Sequence, residues 1–379
     1  MGLDDCYNIA DLRRLAKRRA HKMVFDYIDG AADDEVTLAR NNNDFSDIDL
    51  VHRSLVDCSA LDLSVNVAGI DLTLPFFCGP SAGNRLFHKD GERAVARAAS
   101  AAGAACSLST LSSVSIEDFA QETQGPKFFQ LYVWKDHGLV KEMLARAKAA
   151  GFDAMMLTVD LPVHGNRERD WRNGLTIPPV IRPKQVLQAL TRPGWTLDYL
   201  TSPRIGYANL SGHSGGESLF EFVSKQLDST FEWKDAQAFR DMWDGPAFVK
   251  GIVHPGDAVK ALECGYDGVT ISNHGGRQLD SDISPIRALP AIRETVGEDA
   301  ALVLDGGIRR GTDIVKALCL GADAVSFARP YLFGLAGAGE AGVARALDIL
   351  KSELGRAMTL LGAPSVKDLT QEGVQLRYR

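Results

Sequence analysis

The segment ISNHGGRQLD (271–280) places an imidazole, two glycines and a guanidinium within ten residues. His274 follows an apolar run and can remove a proton near neutral pH, because imidazole titrates in that range. Arg277, three residues later, carries a planar donor fork that suits a carboxylate. A single histidine at a strand end is more often structural, but the glycines and Arg277 beside it favour a site where a carboxylate-bearing substrate loses a proton.

Two later segments combine positive charge with the start of a helix: LDGGIRRGTDIVKAL (304–318) and ADAVSFARPYLFG (322–334). Gly306 and Gly307 leave backbone N–H groups accessible in the first segment, while Arg309 and Arg329 supply the charge. Loops of this kind bind phosphate monoesters in barrel enzymes. The sequence therefore predicts a cofactor or substrate that carries a phosphate.

Lys250 lies in the apolar run AFVKGI (247–252), and its ammonium can lie beside a cofactor ring that becomes anionic on reduction. The alternative is a lysine that reaches solvent from a strand end, which its apolar neighbours disfavour. Gly337, Gly339 and Gly342 spell GxGxxG. They follow a helical turn instead of joining a first strand to a helix, so we do not interpret them as a nicotinamide site.

Eight short apolar runs, separated by alanine-rich helical segments, must position these side chains. The runs are 75–81, 105–110, 128–132, 154–160, 247–252, 268–276, 301–307 and 324–330. The helical candidates between them are 91–103, 139–151, 255–265 and 311–321, each ending in glycine. Eight strands that alternate with helices favour an α/β fold of the (β/α)8 TIM barrel type over a doubly wound sheet.

Polar or small residues stand at the end of nearly every run. They are Ser81, Ala82, Ser109, Gln130, Tyr132, Thr158, Asp160, Lys250, Ser272, His274, Asp305 and Arg329. Turn chemistry would account for two or three of them, whereas a closed barrel brings all the strand ends to the face where active sites lie. The pattern therefore favours one shared active site.

The same alternation of apolar runs with helical segments predicts the domain organisation. We predict a single domain over 1–379, with an N-terminal helical prelude before a barrel at about 72–360. Roughly 90 residues separate the fourth and fifth runs, and loops this long are usually functional or disordered. We therefore predict a long insertion after strand 4, at about 165–240.

Composition excludes several classes of protein. The formal net charge of -7 argues against nucleic acid as a partner, because phosphates need basic neutralisation. The six cysteines are scattered, with no spacing typical of a metal site, and fit free thiols in a reducing cytosol. The N-terminus is polar, and no apolar run approaches the roughly 18 residues that span a bilayer. We therefore predict a cytoplasmic protein.

The chain resembles the FMN-dependent 2-hydroxy acid oxidase and dehydrogenase family, most of all its (S)-mandelate dehydrogenase and L-lactate dehydrogenase branch. Besides the motifs above, the resemblance rests on FDYIDGAADDEVTLARN (25–41), FFQLYVWKD (128–136) and LTVDLPVHGNRERD (157–170). It extends over almost the whole chain. It implies oxidation of a mandelate-like or lactate-like (S)-2-hydroxy acid to its 2-keto acid, with electrons passing from FMN to oxygen or a quinone.

The resemblance also implies roles for individual residues. His274 would be the catalytic base, with Asp160 holding its imidazole. Substrate oxygens would contact Arg167 and Arg277 through the carboxylate, and Tyr27 and Tyr132 through hydrogen bonds. FMN would contact Pro80, Ser81, Ala82, Ser109, Gln130, Thr158, Lys250 and Ser272, and its phosphate would lie at Asp305, Gly307, Arg309, Ala328 and Arg329. Family members are commonly homotetramers, so the resemblance implies this assembly here.

The sequence departs from the family pattern near the expected flavin. Ala328 replaces a common glycine in the phosphate loop, although alanine is small enough that we expect FMN to bind. Leu111 stands where glycolate oxidases carry tryptophan, and with Gly83 it suggests room for a substituent larger than hydrogen. Ala82 replaces a glycine of the membrane-bound dehydrogenases and leaves the choice between oxygen and quinone open.

Segment 176–216 admits two interpretations. It mixes Val186, Leu187 and Leu190 with basic residues, a composition that suits an interfacial helix docked peripherally on the inner face of the membrane. A surface lid or an oligomer contact is the alternative. Three other functions stay open for the chain: modification of a peptide-derived cofactor precursor, non-redox chemistry on a sugar phosphate, and ligand binding without turnover.

Overall fold

The computed structural model describes residues 2–175, 183–210 and 219–377. Its strands are β1 (Ile48–Leu50), β2 (Val65–Val67), β3 (Ile70–Leu72), β4 (Phe76–Cys78), β5 (Ala105–Ser109), β6 (Lys127–Tyr132), β7 (Ala154–Thr158), β8 (Ala247–Ile252), β9 (Gly268–Ile271), β10 (Ala301–Asp305), β11 (Ala324–Phe327) and β12 (Val374–Leu376). Strands β4–β11 match the eight runs predicted from the sequence.

The helices surround these strands. They are α1 (Ile9–Arg19), α2 (Lys22–Asp29), α3 (Val36–Asn43), α4 (Gly91–Ala102), α5 (Ile116–Gln121), α6 (His137–Ala149), α7 (Glu168–Asn173), α8 (Pro183–Leu190), α9 (Pro193–Thr201), α10 (Leu219–Gln226), α11 (Trp233–Arg240), α12 (Pro255–Glu263), α13 (Pro285–Val296), α14 (Gly311–Cys319) and α15 (Arg329–Leu361). Helices α4, α6, α12 and α14 match the four predicted helical candidates.

Strands β4–β11 form a closed parallel barrel. Each strand pairs with the next along the chain, and β11 pairs back onto β4 through Val325 with Phe76 and Phe327 with Cys78. The predicted (β/α)8 barrel is confirmed. Closure leaves no free sheet edge and brings the eight carboxyl ends to one face.

Alternation along the strands divides the apolar residues between two cores. In β4, Phe77 points into the barrel and packs with Phe128 of β6, while its neighbour Phe76 belongs to the core between barrel and helices. The interior core also includes Val67 and Ile70 of the β2–β3 hairpin. The hairpin therefore closes the bottom of the barrel, and the predicted helical prelude was incomplete because it omitted these short strands.

The segment between β7 and β8 contains α7–α11 and packs on other parts of the fold. Trp195 donates from Nε1 to the carbonyl of Leu86 at 3.0 Å, and Ala208 donates its N–H to the carbonyl of Ser112 at 3.0 Å. Residues 176–182 and 211–218, part of the segment with two interpretations, lie outside the described residues.

The GxGxxG segment lies inside α15, as its position after a helical turn indicated. The helix is broken at Ala338 and Gly339, where Gly339 has a φ of 61°. A Cβ atom at Gly342 would lie 2.0 Å from the carbonyl oxygen of Gly334. Gly342 therefore allows close packing between the two halves of α15, while Gly337 and Gly339 lie against Leu15 and His88.

Candidate active site

The side chains that follow β4–β11 surround a deep cleft at the carboxyl face of the barrel. Counting its open mouth, the cleft holds about 1750 Å³ of space between protein atoms. The predicted site residues that line it are Tyr27, Pro80, Ser81, Ala82, Gln130, Tyr132, Thr158, Arg167, Lys250, His274, Arg277, Asp305, Gly307, Arg309, Ala328 and Arg329. The cleft therefore gathers side chains from widely separated parts of the sequence at one face of the barrel.

Three predicted residues lie directly behind this lining. Ser109 donates to Gln130 Oε1 at 2.7 Å, and Gln130 Nε2 donates to Thr158 Oγ1 at 3.0 Å. Asp160 contacts His274, and Ser272 accepts from Lys250. The structure therefore brings every sequence-predicted site residue into one continuous group.

His274 follows β9 with a left-handed φ of 57°, which turns its ring into the cleft. Its Nδ1 atom is 2.8 Å from Asp160 Oδ1. Burial lowers the pKa of His274, and this effect outweighs the opposing attraction of Asp160. The imidazole is therefore neutral near neutral pH, with Nδ1 as the donor to Asp160 and Nε2 able to accept a proton.

Gly251 explains how Asp160 reaches this position. The pairing of β8 with β9 shifts register between Lys250 and Ile252, and Gly251 has a φ of 104° at the irregularity. A Cβ atom there would lie 2.6 Å from Cβ and Cγ of Asp160. The irregularity and the missing side chain therefore provide the space for the carboxylate.

Lys250 forms a buried ion pair with Asp305. Its Nζ atom is 2.7 Å from Asp305 Oδ2 and donates to Ser272 Oγ at 3.0 Å. Burial opposes the charge on Lys250, but Asp305 and Asp160 outweigh it, so the pKa of the lysine is raised. Ser326 donates to Asp305 Oδ1 at 2.7 Å and completes the network. Lys250 is therefore held in its charged form at the cleft. The Asp305 carboxylate is already occupied by the ion pair and by hydrogen bonds from Ser272 and Ser326.

Arg309 and Arg329 place two partly buried guanidiniums in the cleft. Burial lowers the pKa of Arg309 to about 10 and also lowers that of Arg329, where the positive charges of Arg309 and Arg277 add to the effect. Gly306 has a φ of 113°, and a Cβ atom there would meet nothing closer than 3.9 Å. Two desolvated cations beside accessible backbone form a site for a phosphate group.

Ala328 fits the phosphate end without strain. Its φ of -110° is ordinary for an L-residue, so the glycine that it replaces is not required for backbone conformation here. Neighbouring Gly307, in contrast, has a φ of 79°, and a Cβ atom there would lie 2.1 Å from the Asn41 carbonyl oxygen. The strict glycine requirement therefore falls on Gly307.

Arg277 and Arg167 form a second cationic group near His274. Arg277 Nη1 donates to the carbonyls of Tyr27 at 2.6 Å and Gly30 at 2.9 Å, and its guanidinium lies 4.6 Å from the Tyr27 ring centroid. Arg167 Nη2 donates to Gln278 Oε1 at 2.9 Å. Within the described part of the chain, Arg277 Nη2 is buried and has no hydrogen-bond partner. An anion in the cleft can satisfy it.

Sequence reasoning missed much of the apolar wall beside Leu111. Leu161, Tyr207 and Val223 line this wall and are buried. Tyr207 and Val223 belong to the β7–β8 segment, where no regular alternation of apolar runs and helical segments predicts their position. The signal that was available is the position of Leu161, immediately after the predicted strand-end residue Asp160.

The family of this chain follows from a comparison over its length. The model for FMN-dependent dehydrogenases matches residues 16–376. The chain belongs to this family. It is 42% identical over 371 residues to a putative L-lactate dehydrogenase of Mycobacterium tuberculosis, covering 97% of this chain and 89% of the relative. An L-lactate dehydrogenase of Vibrio cholerae serotype O1 is 40% identical over 372 residues, covering 97% and 98%.

A solved structure described as the monotopic membrane protein (S)-mandelate dehydrogenase is similar to this FMN-dependent dehydrogenase, with a TM-score of 0.94 and 37% identity. The match covers 98% of this chain and 100% of the other. The predictions of the family, of an enzyme and of FMN as cofactor are confirmed. In the described ranges, no helix is long and apolar enough to cross a membrane.

The residues of the cleft fit FMN. The partly buried cations at Arg309 and Arg329 suit its phosphate, and the charged Lys250 suits a ring that gains negative charge. Gln130 and Thr158 add polar side chains to the same lining. The lining therefore combines cations for the phosphate with polar and charged groups for the ring of the cofactor.

Proposed function

We propose that this FMN-dependent dehydrogenase oxidises an (S)-2-hydroxy acid with an apolar substituent to the 2-keto acid. The observation that carries the proposal is the neutral His274 imidazole, held by Asp160, in the same cleft as Arg277, whose Nη2 atom has no hydrogen-bond partner among the described residues. An anion site next to a base can bind the carboxylate of a hydroxy acid and place its hydroxyl group within reach of the base. The names of the relatives, L-lactate dehydrogenase and (S)-mandelate dehydrogenase, support this substrate class.

In the proposed reaction, His274 Nε2 takes the proton of the 2-hydroxyl group. The Asp160 carboxylate, 2.8 Å from Nδ1, stabilises the imidazolium that results. FMN, when bound, would supply the acceptor for the C2 hydrogen and its two bonding electrons, so that loss of both hydrogens leaves the 2-keto acid. Lys250, held charged by Asp305, favours negative charge at that end of the cleft.

Binding is proposed to start at the carboxylate. Arg277 offers Nη2, and Arg167 lies beside it, with its Nε donating to the Arg277 carbonyl at 3.2 Å. Tyr27 and Tyr132 line the same part of the cleft and would donate to substrate oxygens. Burial raises the pKa of Tyr132, which therefore stays protonated as a donor.

The proposed substituent site is the apolar wall of Leu111, Leu161, Tyr207 and Val223. All four side chains are buried in the protein. A methyl or phenyl group would lie against this wall more favourably than the hydrogen of glycolate, since each buried CH2 group contributes about 0.8 kcal/mol. We therefore propose a lactate-like or mandelate-like substrate, with oxygen or a quinone as the electron acceptor.

An anaerobic absorbance spectrum tests the proposal. The purified protein is expected to show the yellow flavin absorbance, and (S)-mandelate or (S)-lactate should bleach it far faster than glycolate. Admitting air or a soluble quinone afterwards identifies the acceptor from the rate at which absorbance returns. A yellow protein that none of the three acids bleaches would contradict the proposal and favour a peptide-derived substrate. Failure to bind FMN would contradict it and favour a sugar phosphate.

A further inference from the structure

The carboxylate of Asp170 lies in the cleft and has no part in the proposed reaction. Asp170 belongs to α7, three residues after Arg167. Its Oδ2 atom is 3.9 Å from Arg277 Nη2, and only 15% of its side chain is exposed. The nitrogen that it faces is the same atom that has no hydrogen-bond partner among the described residues. An acidic side chain therefore competes for the position proposed for the substrate carboxylate.

We propose that Asp170 is the counter-ion of Arg277 and Arg167 in the free enzyme, and that it takes up a proton from solution when the substrate carboxylate binds. The inference rests on the proposed function, because it requires a carboxylate ligand at these two arginines. In this role, the charge of Asp170 sets the affinity of the site for carboxylates. Asp170 is therefore a positioning residue and not a catalytic residue.

The two arginines are held without help from Asp170. The Tyr27 and Gly30 carbonyls accept both hydrogen bonds of Arg277 Nη1. Arg167 is held by Gln278 Oε1, and Gln278 Nε2 in turn donates to the Val163 carbonyl at 2.9 Å. At 3.9 Å, Asp170 makes no hydrogen bond to Arg277. Its removal is therefore expected to change the electrostatic potential and to leave both guanidiniums in place.

The charged groups around Asp170 come from three elements. Arg277 follows β9, Arg167 and Arg169 belong to the start of α7, and Asp26 belongs to α2. Arg169 is already paired with Asp29 and Glu35. Asp26 pairs with Lys22 and accepts from Asn173 Nδ2 at 2.8 Å. Among these groups, Arg277 and Arg167 are the cations that both Asp170 and a bound carboxylate would share.

The protonation state of Asp170 is poised for this exchange. Burial raises its pKa above the ordinary aspartate value, with Arg277 and Arg167 opposing and Asp26 adding to the rise. A second carboxylate at the arginines would raise the pKa further, because like charges disfavour each other. Carboxylate affinity should therefore increase as pH falls through the pKa of Asp170 in the complex, and level off below its pKa in the free enzyme.

Phenylacetate, which lacks the reactive hydroxyl, is the probe for this linkage in the FMN-loaded enzyme. Its dissociation constant is measured from the change in flavin absorbance between about pH 8 and pH 5, where the probe stays ionised. Phenylacetamide serves as the uncharged control. The wild-type enzyme should bind phenylacetate more tightly at lower pH and should take up protons in weakly buffered solution on binding it, while phenylacetamide should show neither effect.

Asp170→Asn isolates the contribution of this carboxylate. At the upper end of the pH range it should lower the phenylacetate dissociation constant by on the order of tenfold, because a like charge is removed from the site. It should also abolish most of the pH dependence and the proton uptake. Glu168→Gln removes the same charge from the same helix at a residue outside the cleft, and it should behave like wild type.

The outcomes separate the two proposals. Weaker phenylacetate binding by Asp170→Asn with an unchanged pH slope would mean that Asp170 supports Arg277 mechanically, and would overturn the inference alone. Absence of proton uptake in the wild-type enzyme would overturn it even if the variant fails to fold. Failure of the wild-type enzyme to bind any carboxylate would overturn both the inference and the proposed function.

Discussion

The proposed role of His274 depends on a neutral imidazole beside a charged carboxylate. We expect His274→Ala to keep FMN bound and to lower the rate of flavin reduction by at least the roughly 10²–10⁴-fold that a general base contributes. Stopped-flow absorbance under anaerobic conditions measures this rate. His52→Ala, a change at an exposed histidine, is the control and should reduce normally. Normal reduction in His274→Ala would exclude His274 as the base.

Arg277→Lys tests the carboxylate site. A lysine keeps the charge but loses the planar fork, in which Nη1 is anchored by two carbonyls and Nη2 has no hydrogen-bond partner among the described residues. We expect kcat/KM for the hydroxy acid to fall by roughly 10- to 100-fold, the value of a charge-assisted hydrogen bond. Fluorescence titration of the apoprotein should give an unchanged Kd for FMN. Equal loss of substrate and FMN affinity would place the carboxylate elsewhere.

Individual site residues were predictable where their role depends on residue type and on the neighbouring sequence. His274, Arg277 and Lys250 stand at strand ends, and their side-chain types limit what they can do. Asp170 was not predicted, because its significance depends on a 3.9 Å approach to a residue more than 100 positions away. Tyr207 was missed for a similar reason, since its position depends on how a segment without regular rhythm packs on the barrel.

The irregularity at Gly251 in strand β8 provides the space that the Asp160 side chain occupies. We expect Gly251→Ala to displace Asp160, because the new Cβ would lie 2.6 Å from that side chain. A shift of about 1 Å in a catalytic group can lower kcat by roughly 10²-fold, which steady-state assays would detect. Gly69→Ala is the matched control: its φ of 84° is similarly left-handed, but the new Cβ meets nothing within 4 Å. Equal effects of the two variants would assign the loss to backbone strain.

The strands and helices of the barrel were predictable because each buried strand is a continuous apolar run and each helix that follows is rich in alanine. The β2–β3 hairpin was not predicted, since three-residue strands such as Val65–Val67 show too little alternation to be recognised. Helix α8 includes the residues of the interfacial helix that the sequence suggested, whereas α9 was assigned only as part of the insertion, because partners such as Leu86 belong to other elements.

Peripheral contact with a membrane stays a prediction for the molecule as a whole. Leu187 and Leu190 of α8 are 68% and 73% exposed, and Leu197 and Leu200 of α9 are 63% and 73% exposed. Basic residues adjoin them, since Arg192 donates from Nε to the Ala20 carbonyl at 3.3 Å, next to the basic end of α1. Exposed leucines beside cations suit an anionic lipid surface.

Vesicle sedimentation tests this contact. We expect the protein to sediment with vesicles that contain anionic lipid. The double change Leu187→Ser and Leu190→Ser should weaken this binding about tenfold or more, since about six apolar side-chain carbons are removed. Leu360→Ser, at a leucine of α15 that is 69% exposed, should have no effect. Binding that is equal in all three proteins would exclude α8 as the membrane contact. The homotetramer likewise stays a prediction, which light scattering would test.

The pairing of β11 with β4, which closes the barrel, has a consequence for folding during synthesis. Strand β4 is complete early in synthesis, but its partner β11 lies near the end of the chain, and β1 pairs with β12 only after Leu376 has emerged. Until then the nascent protein exposes the edge of β4 and the apolar interior that the barrel later encloses. Protection of this unfinished edge on the ribosome is therefore part of what the cell must provide for the enzyme to form.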